Sequence, residues 1–172
     1  AVLTPVYGAF DTSASDAQRQ IIAVPMSRTE DNRYSVDYEA FEGGIIKHGV
    51  TLFIHCNPHN PVGHVWTESE MAQLFSICQR HGVLIISDEI HQDLITGPRA
   101  FMPALAVSNG AYADNIISMS SLSKSFNMAS LHHAEVIIPN EELRGRYNTF
   151  KGLVYHTDSD VIAEAAITAA YT

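Results

Sequence analysis

The chain has 172 residues, 46% of them hydrophobic, enough apolar material for one domain-sized core and the composition of an ordinary globular protein. Ten Lys and Arg against 19 Asp and Glu give a formal charge of −9, which argues against nucleic acid and anionic membrane surfaces as partners, because both need clustered basic residues. No apolar run reaches the length of a membrane span, no basic-then-apolar leader opens the chain, and Cys56 and Cys78 lack a C-x-x-C spacing; neither a disulfide framework nor a thiol zinc site is indicated, and a reducing, cytoplasmic setting is expected.

In chain order, Val2 to Tyr7 is a short apolar segment broken by Pro5 and closed by Gly8, which predicts a strand end or loop with Tyr7 exposed. Ile21 to Val24, stopped by Pro25, predicts a strand, and the polar run Ser27 to Arg33 a connecting loop. Val36, Ala40, Phe41 and Ile45 recur near helical spacing, although Gly43 and Gly44 weaken that helix. Thr51 to His55 predicts a compact strand. Cys56 to Gly63 (CNPHNPVG) carries two Asn-Pro steps and a glycine, which bar helix and central strand and predict a rigid reversal at the strand's end. Thr67 with Glu70 three positions on is a capping box, opening a helix that should bury Met71, Leu74, Phe75 and Cys78 and end near His81-Gly82. Val83 to Ile86 predicts a buried strand, followed by the acidic pair Asp88-Glu89. Thr96 to Pro103 must be irregular. Ile116 to Ser118 predicts a strand delivering the chain to a serine-rich turn, Val136 to Ile138 another, and Asn140 caps a helix running to about Phe150. The start at Ala1 and the stop just after the helix-like run Val161 to Tyr171 lead us to expect the middle of a longer protein.

Strands alternating with helices predict an α/β fold, a mostly parallel sheet with helices on both faces, whose ligands bind beyond the carboxyl ends of the strands. Three segments would meet on that edge: the turn with Asn60, the segment Asp88 to His91, and Ser120 to Lys124. Lys124 stands among Ser, Leu and Phe rather than other charges, a setting that would desolvate its amine and favour the free base of a Schiff-base lysine. Each residue also has a plainer use: Asp88 as a turn cap, Asn60 as an ordinary turn asparagine, Ser121 and Ser123 as helix caps, Lys124 as a solvated turn residue. Together, an amine, a carboxylate at a strand end, an asparagine in a proline-held turn and several hydroxyls match the needs of pyridoxal 5'-phosphate (PLP).

NPHNPVG, SDEIH and SLSKSFN, in that order and spacing, resemble the fold type I pyridoxal phosphate enzymes of the class I/II aminotransferase superfamily. Pro58 to Trp66, Asp88 to His91 and Ser123 to Asn127 are similar to the cystathionine β-lyase-type carbon–sulfur lyases within it, as are Pro5-Val6-Tyr7 and Glu164 to Tyr171. The resemblance implies that residues 1–172 are part of the cofactor-binding large domain of a homodimeric enzyme. It implies that Lys124 holds the cofactor and then removes the substrate α-proton, that Asp88 pairs with the ring nitrogen, that Asn60 bonds the ring hydroxyl, that Tyr7 stacks on the ring, and that Ser121 and Ser123 reach the phosphate. His91 stands where many aminotransferases have tyrosine, which favours the lyase branch. The implied substrate is a sulfur-containing amino acid, and the implied reaction an α,β-elimination giving thiol, pyruvate and ammonia. The same residues would serve a class I/II aminotransferase. His132-His133 and Ser130 depart from the family pattern, and the family's phosphate loop and carboxylate-binding arginine have no counterpart in the chain. A metal-binding reading of His55, Cys56, His59 and His64 lacks paired ligand spacing, and a non-catalytic module on this fold is the remaining alternative.

Overall fold

A computed structural model describes residues 1–154, 156 and 160–172. In order they form β1 (Val2–Thr4), α1 (Ala9–Asp16), β2 (Ala23–Pro25), β3 (Ser27–Arg28), β4 (Tyr34–Ser35), α2 (Tyr38–His48), β5 (Leu52–Cys56), α3 (Glu68–Arg80), β6 (Leu84–Asp88), β7 (Ile116–Ser120), α4 (Leu122–Ser125), β8 (Glu135–Ile137), α5 (Glu141–Leu153) and α6 (Val161–Tyr171), with short 3-10 turns before and after β7. Six strands make one sheet in the order β2-β1-β5-β6-β7-β8, parallel throughout except for β8, which runs antiparallel to β7. The mostly parallel α/β sheet expected from the alternation of elements is therefore present.

Burial alternates along the central strands. Phe53, Ile85 and Ile116 are buried on the face that carries α2 and α3, whereas Ile54, Ile86 and Met119 on the other face are only half-buried, with Phe10 and Ser13 of α1 across a cavity from them. Helices thus lie on both faces, as the alternation predicts, but unequally. The apolar run Val83 to Ile86 suggested burial on both sides; Val83 and Ile85 are sealed while Leu84 and Ile86 are not.

The packed face follows directly from the side chains. α3 is nucleated by a complete capping box, with Thr67 Oγ1 accepting from Glu70 N–H (3.2 Å) and Glu70 Oε2 accepting from Thr67 N–H (2.8 Å). Its stripe Met71, Leu74, Phe75, Ile77 and Cys78 is buried against the sheet, each large side chain contributing about 1.5–3 kcal/mol by leaving water. α2 adds Phe41, whose ring meets Phe53 edge-on at 4.9 Å, and ends on Gly49 in the left-handed conformation (φ 58°) that glycine adopts without steric penalty.

Two expectations are corrected, and one helix is added. α1 was not foreseen, because AFDTSASD has no apolar period and the helix buries none of its residues. The polar run Ser27 to Arg33 is not simply a loop: Ser27 and Arg28 pair with Ser35 and Tyr34 in a small antiparallel ribbon, its turn tied by Thr29 and Asn32. Its pattern is too short for a period-two signal. The strand read at Ile21 to Val24 lies at Ala23–Pro25, on the sheet edge where a proline without N–H is tolerated.

Candidate active site

The turn after β5 is held from several sides. Trp66 is buried and donates Nε1–H to the Cys56 carbonyl (2.8 Å), while His59 N–H donates to His64 O and Gly63 N–H to His59 O, each at 2.8 Å. His55, His59 and His64 ring the indole at centroid distances of 5.2, 5.7 and 4.5 Å. The Nε2–H of His59 donates to the Pro5 carbonyl (3.0 Å), fastening the turn to the end of β1 just before Tyr7. His55 is fully enclosed with neither ring nitrogen paired, and burial pushes it down to about 3. Burial likewise pushes the Cys56 thiol up to about 11, and Cys56 Sγ accepts the Asn60 N–H at 3.4 Å. The histidines and Cys56 are thus spent on packing and on holding the turn. Among the described residues no group of three or more His, Cys, Asp or Glu is arranged to hold a metal ion.

The end of β6 carries two neighbouring carboxylates. Asp88 lies on the open face; burial raises its pKa, while the Ile90 N–H bonding its Oδ1 at 3.2 Å and the nearby His91 favour the ionised form. Glu89 lies on the packed face, 3% exposed. Its Oε1 accepts from Ala104 N–H (2.8 Å), Ser87 Oγ–H (2.9 Å) and, more loosely, Asn57 Nδ2–H (3.4 Å), and its Oε2 accepts from Ser118 Oγ–H (3.2 Å). Burial raises its pKa against the pull of these donors. Only Asp88 of this pair had been given a role from the sequence. The missed signal was the serines at 87 and 118 inside otherwise apolar strands: buried hydroxyls need partners, and a carboxylate is the obvious one.

After β7 the chain turns into the four-residue α4. Ser121 is buried; its Oγ–H donates to the His133 carbonyl (2.6 Å) and its Oγ accepts the Ser123 N–H (3.1 Å). Leu122 is buried, so α4 turns Lys124 outward, and Lys124 is exposed. The desolvated setting read from the neighbouring Ser, Leu and Phe is therefore not what this arrangement gives: Leu122 goes inward, and Phe126 lies edge-on to Tyr171 at 5.1 Å on the surface.

Two cavities open at this edge. One, of about 320 Å³, is lined by Asp88, Ser121 and Ser123 together with Phe10, Met119 and His133, a size suited to a small cofactor. The second, of about 390 Å³, is lined by Asn60 and His91 with Pro61, Leu94 and Gly97. The segment from Asp88 to His91 contributes to both. Among the described residues, Tyr7 and Lys124 line neither; Tyr7 is half exposed and meets Phe10 edge-on at 5.9 Å, and Lys124 follows Ser123 along α4. His133, not assigned a role from the sequence, lines the first cavity and keeps its buried Nε2 unpaired.

This geometry agrees with what the chain is similar to. The model of the family "Aminotransferase class I and II" matches residues 1–172. Cystathionine beta-lyase PatB of Bacillus subtilis is 34% identical over 99% of this chain and 44% of its own length. The PLP-bound C-S lyase of Staphylococcus hominis superposes with a TM-score of 0.91 at 32% identity, covering 99% of this chain and 42% of that one. A PLP-bound candidate aminotransferase of Clostridium difficile gives 0.92 at 35%, covering 99% and 43%. The chain spans less than half the length of these relatives. With a parallel sheet, a strand-end Asp88 and a serine-lysine turn on one edge, the chain belongs to the class I and II aminotransferase family.

Proposed function

We propose that the protein is a pyridoxal phosphate-dependent carbon–sulfur β-lyase that eliminates the thiol from a cystathionine-like amino acid. The observation that carries this reading is the cavity shared by Asp88, Ser121 and Ser123, with Lys124 following on the same short helix. Its lining fits the cofactor: the Asp88 carboxylate, the hydroxyls of Ser121 and Ser123, and apolar surface from Ile54, Ile86, Ile90 and Met119. The lyase names of PatB and of the Staphylococcus enzyme support the reaction class.

When bound, pyridoxal phosphate supplies an electron sink that allows an amino acid to lose its α-proton. Asp88 would hold a protonated ring nitrogen, and a cation there offsets the burial that otherwise raises its pKa. Ser123 would bind the phosphate oxygens, joined by Ser121 once its hydroxyl turns from the His133 carbonyl, Asn60 would bond the ring hydroxyl, and Tyr7 would cover the ring face. The Lys124 amine would capture the cofactor and then carry the proton away from the substrate Cα. His91, beside Asn60 in the second cavity, would line the substrate side.

The test is borohydride reduction of the full-length protein with pyridoxal phosphate, followed by peptide mapping: a pyridoxyl group on Lys124 is expected, and its absence sinks the proposal. Release of pyruvate and thiol from cystathionine without a keto-acid acceptor separates the lyase from the second reading, an aminotransferase, which the Clostridium structure favours.

A further inference from the structure

Three chain segments carry the candidate groups: the turn with Asn60, the end of β6 with Asp88, and β7 with α4 and Lys124. On the packed face beneath them one carboxylate touches all three. Glu89 accepts from Asn57 Nδ2–H, three residues before Asn60; from Ser87 Oγ–H, next to Asp88; and from Ser118 Oγ–H, on the strand that leads to Lys124. A fourth donor, Ala104 N–H, closes the remaining side, and Asn57 also donates to the Met102 carbonyl at 3.0 Å. The backbone repeats the pattern, since Asn57 N–H donates to Asp88 O (2.8 Å) and Glu89 N–H to Met119 O (2.7 Å). Glu89 lines neither cavity and is enclosed by these donors at 3% exposure, so its role is to hold the segments rather than to face a ligand.

We infer that Glu89 is the positioning residue of the site, the common acceptor that sets the register of the Asn60 turn, the Asp88 strand end and the Lys124 segment relative to one another. This rests on the cofactor reading above. A side chain with two terminal polar atoms suits the task because it can reach the two hydroxyls, the amide and the backbone N–H that converge on it at once. Losing it leaves the Ser87, Ser118 and Ala104 donors unpaired and frees the three segments to shift by fractions of an ångström, which is enough to weaken groups that must act together on one ring.

The test uses the full-length protein with pyridoxal phosphate and reads two quantities: the cofactor dissociation constant, and the pH midpoint of the visible absorbance of the bound cofactor, which Asp88 and Asn60 would tune. Glu89→Ala should weaken cofactor binding about tenfold or more and displace the midpoint. Glu89→Gln should restore both to within about threefold of the parent, because its amide oxygen can replace Oε1 and its NH2 can donate to Ser118. Ser118→Ala keeps Glu89 and removes one donor, so it should move both quantities the same way by less.

A folded Glu89→Ala protein with unaltered affinity and midpoint would overturn the inference, leaving Glu89 a fold residue only. If Glu89→Ala does not fold, an unaltered Ser118→Ala overturns it instead. A Glu89→Gln defect as large as that of alanine overturns it as well, since charge and not position would then be the cause. Failure of the parent to label at Lys124 overturns the cofactor reading and the inference with it, whereas a labelled parent with unchanged variants overturns the inference alone.

Discussion

Asp88 and Glu89 are adjacent in the chain and differ by one methylene, yet the two faces of the sheet use them in opposite ways. Glu89 points into the packed face, where four donors surround it and nothing solvent-borne reaches it. Asp88 points to the half-open face, where one backbone N–H bonds it and a cavity lies before it. Both have raised pKa values from burial, but Glu89 is answered by four neutral donors, whereas Asp88 has one backbone N–H and the nearby His91. The difference teaches where to look: on the packed face substitutions away from Glu89 and its donors should register as stability, and on the open face as cofactor binding and turnover.

The largest expected effect breaks the open face. Asp88→Asn should lower turnover of the loaded enzyme by on the order of 10²-fold or more, because the ring nitrogen loses its anionic partner. The same change should not destabilise the unloaded protein at neutral pH. Folding raises the pKa of Asp88, so its ionised form is disfavoured in the folded state; this penalty is absent below the unfolded value of about 3.9 and is present as pH rises past the folded value. Urea unfolding of both proteins at pH 7 and pH 4 measures it; a loss of stability at pH 7 would contradict the assignment of Asp88 to the open face.

The packed face should answer in stability. Trp66→Ala removes a fully enclosed indole and its bond to Cys56, at a cost of about 3–5 kcal/mol, measurable as a shift in the urea midpoint with unchanged slope. The histidines beside it should give the chain a steep acid limb. His55, His59 and His64 all have lowered pKa values, burial being the first cause in each; the unfolded chain binds protons that the folded one refuses, so stability present above pH 6.5 is lost as pH falls toward the folded values. For His55, held near 3, the slope is about 1.4 kcal/mol per pH unit. His55→Leu should flatten that limb in unfolding curves between pH 4 and 6.5; an unchanged limb would assign it elsewhere. The smallest effect, about 1 kcal/mol, is expected for Thr67→Ala, which removes the α3 cap and lines neither cavity, and it should leave cofactor affinity untouched in a titration.

Much of this is legible in the amino-acid sequence. The capping box at Thr67 and Glu70, the stripe Met71, Leu74, Phe75 and Cys78, and the Asn140 cap are local signals, and each sits where the residues predict. The strand-end positions of Asn60, Asp88 and Ser121 were legible for the same reason, because parallel strands deliver their following turns to one edge. Lys124 was misjudged as to solvation, since whether Leu122 or Lys124 faces inward is decided by the neighbouring strand and not by the order of residues. The ribbon β3–β4 and the helix α1 carry too few apolar residues to announce themselves.

What the sequence determined by itself about this protein is the set of chemical groups and their arrival at one edge, because spacing along a chain of alternating strands and helices dictates both. What only the tertiary structure decided is the division of labour between neighbours. Which of two adjacent carboxylates meets a cavity and which meets four donors depends on the pleat of β6 and on Ser87, Asn57 and Ser118 arriving from three separate segments. Such long-range convergence leaves no periodic trace in the chain, since the partners of Glu89 are brought to it by the register of the sheet.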